Sequence, residues 1–262
     1  MSNSCCICGT VKNCGPYLKK IFENMEKIGS LFDKYIIILS YDVSSDDSLD
    51  KIKSYMKTNP DRIILHINSD PVFKYRTHNI AKARNKCMDL IREKFTDYEY
   101  FIMMDCDDVC SNNVKTDIIK YYLGRDDWDS LSFNKNPYYD TWAFSKYPFV
   151  LSCHHFRTTP KWSTYIRNVL NEAKPKQLIS CLSAFNGFAI YRTAKFIDCF
   201  YDGKMRLDLF PPKFILANFI VAGKLVQKKH TSINEDCEHR SFHMQAINKN
   251  RARIMIAPEI VF

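Results

Sequence analysis

Phe101-Ile102-Met103-Met104-Asp105-Cys106-Asp107-Asp108 is an apolar run that ends in three carboxylates within four residues. Four consecutive apolar residues bounded by an acidic turn suit a strand buried on both faces. In an extended segment alternate side chains share a side, so Asp105 and Asp107 face the same way. Neighbouring carboxylates repel unless a cation lies between them, and a hard divalent ion, Mn2+ or Mg2+, is the natural occupant. Such an ion can also bridge to a diphosphate and stabilise it as it departs. The plainer alternative is a strand end followed by Asx-type turns, since Asp-x-Asp arises often by chance.

Upstream, the chain repeats a strand–helix rhythm. Cys5–Gly9, Tyr35–Leu39, Arg62–Ile67 and Tyr98–Met104 read as short buried strands. Between them, Lys12–Leu31 carries apolar residues at helical spacing. A second helix runs from the cap residues Ser44–Asp47 to Met56, and a third, beginning near Thr77, carries Ile80, Ala83, Cys87, Leu90 and Ile91. Strands alternating with helices imply βαβ units and a parallel sheet. Ligands of such sheets bind beyond the carboxyl ends of the strands. Gly9-Thr10, Tyr41-Asp42, residues 68–76 and residues 105–109 should therefore share one rim. The second half is less regular. Strands are expected at Trp128–Phe133, Ala184–Tyr191 and Arg253–Ala257, and helices at Thr164–Ala173, Thr193–Phe200 and Glu235–Asn248, the last capped by Asn234. No repeat or linker divides the chain, so one α/β domain over residues 1–262 is expected.

Composition narrows the function classes. With 46% hydrophobic residues among 262, a substantial core is affordable and disorder is excluded. The charge of +9 suits an anionic ligand. The basic residues are dispersed; the densest run is Lys224, Lys228, Lys229 and His230, with Lys249, Arg251 and Arg253 beyond it. No recognition motif accompanies it, so a solvated face is expected and not a nucleic-acid groove. Eleven cysteines cannot all pair. The opening Met1-Ser2-Asn3-Ser4 does not read as a secretory leader, and no stretch is long enough to span a bilayer. The expectation is a cytoplasmic setting with free thiols and, at most, peripheral membrane contact. Cys5-x-x-Cys8 has zinc-knuckle spacing, but it lies inside a predicted strand and no matching second pair exists.

Several segments, in order, carry a resemblance. They are Gly9-Thr10-Val11-Lys12-Asn13; Tyr41-Asp42 with Ser44-Ser45-Asp46-Asp47-Ser48; Arg76 with Ala83-Arg84-Asn85; Asp105-Cys106-Asp107; Tyr138-Tyr139-Asp140-Thr141-Trp142-Ala143; Phe185-Asn186-Gly187-Phe188; and Asp236-Cys237-Glu238-His239. Together they resemble glycosyltransferases of the GT-A fold with a DxD motif, in particular a cellular and viral subgroup loosely related to capsule-type and Anp1-type transferases. The resemblance implies a Rossmann-like, mostly parallel sheet flanked by helices. Residues 1–110 would form a nucleotide-sugar-binding half and 111–262 an acceptor side. It implies a nucleotide-sugar donor, UDP-linked by preference, and a hydroxyl acceptor on a glycan, protein or lipid-linked sugar. It also implies Asp236 or Glu238 as base and Asp105, Asp107 and His239 around Mn2+ or Mg2+; those two acids favour inverting transfer, since a retaining enzyme would not require a base in that role. His243, four residues after His239 on the same helix face, is the fallback ligand.

The residue chemistry is compatible with these roles. Arg76 and Arg84 are fixed cations suited to phosphate oxygens, and a helix amino end near Thr77 favours an anion. Thr10 and Asn85 belong to the same donor surface. Asp42 can accept from a uracil imide or a ribose hydroxyl, and Asp105 is divided between ribose and metal. Asp140 and Trp142 combine a carboxylate with an aromatic plane, which suits the polar edges and C–H faces of a sugar. Asn186-Gly187 marks a tight turn that lets a substrate approach the backbone. Two other classes fit parts of the pattern: a nucleotidyltransferase acting on sugar phosphates, for which residues 9–12 are poor in glycine, and a non-catalytic carbohydrate-binding module, which would not need Asp105, Asp107 and His239 together.

Overall fold

The four strand runs of the first half do pair in parallel. A computed structural model describes residues 3–70, 72–151, 159–222 and 234–262, with the side chains of 159–163 and Ala222 outside the described set. Strands β1 (Ser4–Val11), β2 (Lys34–Asp42), β3 (Ile63–Asn68) and β4 (Tyr100–Asp105) form the order β3-β2-β1-β4. Register places Thr10 beside both Ser40 and Asp105, and Asp42 beside Asn68. The carboxyl ends therefore converge as the alternation required.

The second half extends the same sheet. β7 (Phe188–Arg192) runs antiparallel to β4 and to β5 (Ser130–Asn134). β8 (Ile254–Ile260) lies parallel to β5, and β6 (Ile179–Cys181) antiparallel to β8, completing eight strands. Helices α1 (Gly15–Gly29), α2 (Ser48–Thr58) and α4 (Thr116–Leu123) pack on one face through Leu18, Ile21, Met25, Ile52 and Ile119. α3 (Arg76–Lys94), α5 (Thr159–Asn171) and α8 (Glu238–Asn250) cover the other through Met88, Ile91, Ile166 and Phe242. The short α6 (Thr193–Phe196) follows β7, and α7 (Pro212–Ala222) packs around Phe210 and Met244.

Strand alternation separates Cys5 from Cys8: Cys5 packs with the α1 face and Cys8 with the α3 face. That disposition removes the zinc-knuckle reading. All ten described cysteines are free and buried. No helix among the described residues is long and apolar enough to cross a membrane. Lys224, Lys228, Lys229 and His230 lie outside the described residues. Of the other basic positions, Arg253 pairs with Asp129 at 3.0 Å and Lys249 donates to the Asp198 carbonyl.

Several boundaries differ from expectation for local reasons. α1 begins at Gly15 because Asn13 is left-handed (φ 54°) and is tied to Ser44 and Ser45. β7 begins only at Phe188 because Asn186 and Gly187 have φ of 58° and 89°, which interrupts an extended strand. α6 stops at Phe196, four residues short of the expected end. α8 starts at Glu238 with Cys237, not Asn234, at its N-cap. Asp236 accepts there from the Cys237 N–H and from Arg240, and so holds the chain out of the helix. α4, β6 and α7 were not foreseen.

Gly203 pins the start of α3 to the segment before α8. Its carbonyl accepts from Thr77 Oγ1 at 2.9 Å and from the Asp236 N–H at 2.8 Å. A Cβ there would lie 2.5 Å from the Thr77 carbonyl carbon and 2.7 Å from the His78 nitrogen, both backbone atoms that cannot swing aside. Gly203→Ala is expected to cost about 1–3 kcal/mol by overpacking, read as a Tm lowered by roughly 2–10 °C. An unchanged melting curve would contradict this contact.

Candidate active site

The carboxyl ends of β1, β2 and β4, the start of α3, the loop after β5 and the start of α8 enclose a cleft of about 760 Å³. Thr10, Asp42, Arg76, Arg84, Asp105, Asp107, Asp140, Trp142, Glu238 and His239 all line it. Asn85, Asn186, Gly187, Asp236 and His243 do not.

Arg84 organises the centre. Its side chain is 5% exposed, and it reaches Asp105 at 3.0 Å and Glu238 at 2.6 Å. Its guanidinium also lies 4.4 Å from the centroid of the Phe185 ring. Burial opposes the Arg84 charge, but the two carboxylates outweigh burial and hold its pKa above the ordinary value. One guanidinium shared between two acids compensates each only in part. Burial therefore pushes the Asp105 carboxyl up to about 7, against the pull of Arg84 and with the help of Asp107. The second Asp105 oxygen accepts from the Tyr139 hydroxyl at 2.8 Å.

Asp107 caps the short 3-10 turn Asp108–Cys110, accepting from the Val109 N–H at 3.1 Å. Burial raises its pKa, opposed by that hydrogen bond. Asp108 is exposed and off the cleft. His239 stacks on Phe185 with ring centroids 3.7 Å apart. Burial, then Arg84, drives its pKa well below the usual histidine value, so the ring is neutral. Its Nε2 is buried without a hydrogen-bond partner, 3.7 Å from Glu238.

These residues bear on the expected cation in two ways. Among the described residues no three His, Cys, Asp or Glu side chains cluster closely enough to hold a metal ion. The expected set Asp105, Asp107 and His239 thus shares a cleft without forming a ready ligand shell, because Arg84 and Tyr139 occupy both Asp105 oxygens. However, a neutral imidazole with an unsatisfied nitrogen is the form in which histidine binds metal. The lining also places Lys12, Lys74, Arg76 and Arg84 against Asp42, Asp105, Asp107, Asp140 and Glu238, one negative charge in excess when all are ionised. A diphosphate entering such a lining needs added positive charge. The residues fit a cation whose shell is partly filled by phosphate oxygens, as Mg2+ sites commonly are.

At the end of β2, Asp42 accepts from Asn68 and pairs with Lys12 at 3.7 Å. Arg76 opens α3, exposed, with no ion pair among the described residues. Phe73, 49% exposed, and Lys74 stand beside it. In the segment after β5, Asp140 accepts from the Ala143 N–H at 3.1 Å.

The other expected site residues brace the cleft from behind. Asn85 makes paired 2.8 Å bonds to the backbone of Tyr201, which fixes the loop after α6. Asn186 accepts from the N–H groups of Tyr139 and Asp140 and donates to the Phe133 carbonyl, so it shapes the segment that carries Asp140. Gly187 is left-handed, and a Cβ would meet Val109 at 2.4 Å; its carbonyl accepts from the Asp105 N–H. Neither lines the cleft. Asp236, 2% exposed, pairs with Arg240 at 3.1 Å. His243 is 0% exposed and is satisfied by Ser183 and Tyr191. It is therefore no spare ligand. Phe185, Lys12 and Lys74 also line the cleft although their sequence signals were no stronger than those of core or surface residues.

The sequence model of glycosyl transferase family 2 matches residues 6–197. The solved structure of S. aureus TarS 1–349 is 12% identical, with a TM-score of 0.51, over 98% of this chain and 59% of that one. The same fragment in complex with UDP-GlcNAc gives 12% identity and a TM-score of 0.51 over 98% and 57%. The chain thus spans less than two thirds of those structures, and at this identity the likeness is one of fold. No curated protein matches it in sequence.

Proposed function

The chain belongs to glycosyl transferase family 2, and from that premise we propose that its cleft moves a sugar from a nucleotide-diphosphate sugar, UDP-linked in the first instance, to a hydroxyl acceptor with inversion. The observation that carries this reading is the chemistry gathered in one cleft, where Asp42, Arg76, Arg84, Asp105, Asp107, Asp140, Trp142, Glu238 and His239 all line the same space. On this reading residues 1–110 would carry the donor side and most of the acceptor side would lie in 111–262.

Asp42 accepts from the base or the ribose. Arg76 and Arg84 neutralise the phosphates, Arg84 keeping its guanidinium fixed by Asp105 and Glu238. Asp107 and His239 would hold Mn2+ or Mg2+, which supplies positive charge to the departing diphosphate. Trp142 offers a plane to a sugar ring. The buried, partly enclosed site holds donor and acceptor together and so lowers the entropic part of the barrier. UDP is preferred because the likeness in fold extends to TarS, whose structure holds UDP-GlcNAc.

A thermal-shift panel of UDP-glucose, UDP-galactose, UDP-GlcNAc, GDP-mannose and their free nucleotides, with and without Mn2+, tests this reading. A UDP compound should raise Tm by several degrees at millimolar concentration, because a ligand specific to the native state stabilises it. Turnover should release free UDP. Release of pyrophosphate would point to a nucleotidyltransferase, and no stabilisation by any nucleotide to a binding module.

A further inference from the structure

Three carboxylates of the acceptor half stand near the cleft, and their partners sort them. Asp236 is turned inward onto Arg240 and the Cys237 N–H and does not line the cleft. Glu238 lines it but is bound at 2.6 Å to Arg84, whose charge it must keep in place. Asp140 lines the cleft and pairs with no cation among the described residues. One oxygen accepts from the Ala143 N–H at 3.1 Å, and its own N–H donates to Asn186 at 3.1 Å. The carboxylate is thereby aimed from both sides, while its second oxygen has no partner among the described residues.

We propose that Asp140, and neither Asp236 nor Glu238, is the catalytic base that takes the proton of the acceptor hydroxyl. The step rests on the transferase reading above. The acceptor oxygen forms a bond to the anomeric carbon as the bond from that carbon to the diphosphate oxygen breaks. The bonding pair leaves with the nucleotide, and the hydroxyl proton passes to the free oxygen of Asp140. Glu238 remains the counter-charge of Arg84, which explains why a carboxylate on the cleft wall is spent on an arginine.

The surroundings suit the task. Burial lifts the Asp140 carboxyl to about 6, opposed by the Ala143 hydrogen bond and raised further by Glu238. Arg84 and Arg240 pull the other way. Asp105, Tyr138, Tyr139 and Cys237 feel its charge in turn. A base near 6 is mostly ionised at neutral pH yet still holds a proton in the transition state. The acid limb of the kcat profile should fall as pH drops through about 6.

The test compares Asp140→Asn with wild type in Mn2+-dependent hydrolysis of the UDP-sugar that most stabilises the chain, with water as acceptor. Expected is a fall in kcat of about a hundredfold, an unchanged donor KM, an unchanged Tm rise with UDP, and loss of the acid limb. If Asp140→Asn folds poorly, Asp140→Glu should fold, keep the limb and donor KM, and still lose kcat through its displaced oxygen. Undiminished kcat with the limb retained overturns the assignment while leaving the transferase reading intact. Wild type that neither binds nor turns over any nucleotide sugar overturns both.

Discussion

Arg84→Met is expected to destabilise the protein by about 3–5 kcal/mol, the usual cost of removing one partner from a buried charge network. The reason lies in what stays behind. Asp105 and Glu238 both face the same guanidinium from positions largely closed to solvent, with side chains 15% and 6% exposed. Without Arg84 the two buried acids lose their shared counter-charge, and Asp105 takes up a proton more readily. That gives the defect a pH signature. The Asp105 carboxyl already sits at about 7, and Arg84 is what holds it down. In the variant its pKa rises further above that of the unfolded chain. Stability then falls as pH rises from the unfolded carboxylate value toward the folded one, and recovers as pH drops. Denaturant melts at pH 5 and pH 8 check this: the gap to wild type should be wider at pH 8. Arg84→Lys should recover only part of the loss, because a single ammonium cannot span two carboxylates as a planar fork does. Equal stability of Arg84→Met and wild type at both pH values would contradict the network.

Asp107→Ala is expected to reduce Mn2+-dependent turnover by about a thousandfold or more, corresponding to several kcal/mol of lost charge stabilisation on the leaving diphosphate. Its fold should be nearly untouched, since the Asp107 side chain contributes one hydrogen bond to a three-residue turn. The contrast with Arg84 is diagnostic: Arg84→Met loses stability, whereas Asp107→Ala loses turnover at almost full stability. Steady-state kinetics at saturating Mn2+, beside a thermal melt, separates the two. Undiminished turnover in Asp107→Ala would end its role as a metal ligand.

The part of the cleft built by β1 to β4 was legible in the sequence because short-range pattern dictates it. Apolar runs fix β1 to β4, parallel pairing aligns their carboxyl ends, and Thr10, Asp42, Asp105 and Asp107 follow from where those runs stop. The part of the cleft built by later residues was less legible because its geometry depends on contacts distant in sequence. Asp236 and Glu238 are two residues apart, and both looked like a base. Which one faces the cleft depends on where α8 starts, and Arg240, reaching back to Asp236, decides that. Asn186 and Asn85 carried the marks of site residues, yet each spends its side chain on the backbone of another loop. Tyr139 looked like one more aromatic in an aromatic segment, and only the fold brings its hydroxyl to Asp105. The antiparallel β7 between β4 and β5 could not be read from alternation, which reports burial and not strand direction.

On the proposed function this cleft binds a nucleotide diphosphate together with a divalent cation. Calorimetric titration of UDP into the protein, with and without Mn2+, tests it most directly. Expected is one UDP per chain, binding at least about tenfold tighter with Mn2+, and loss of that gain in Asp107→Ala. UDP that fails to bind, or that binds equally well without the ion, would contradict it.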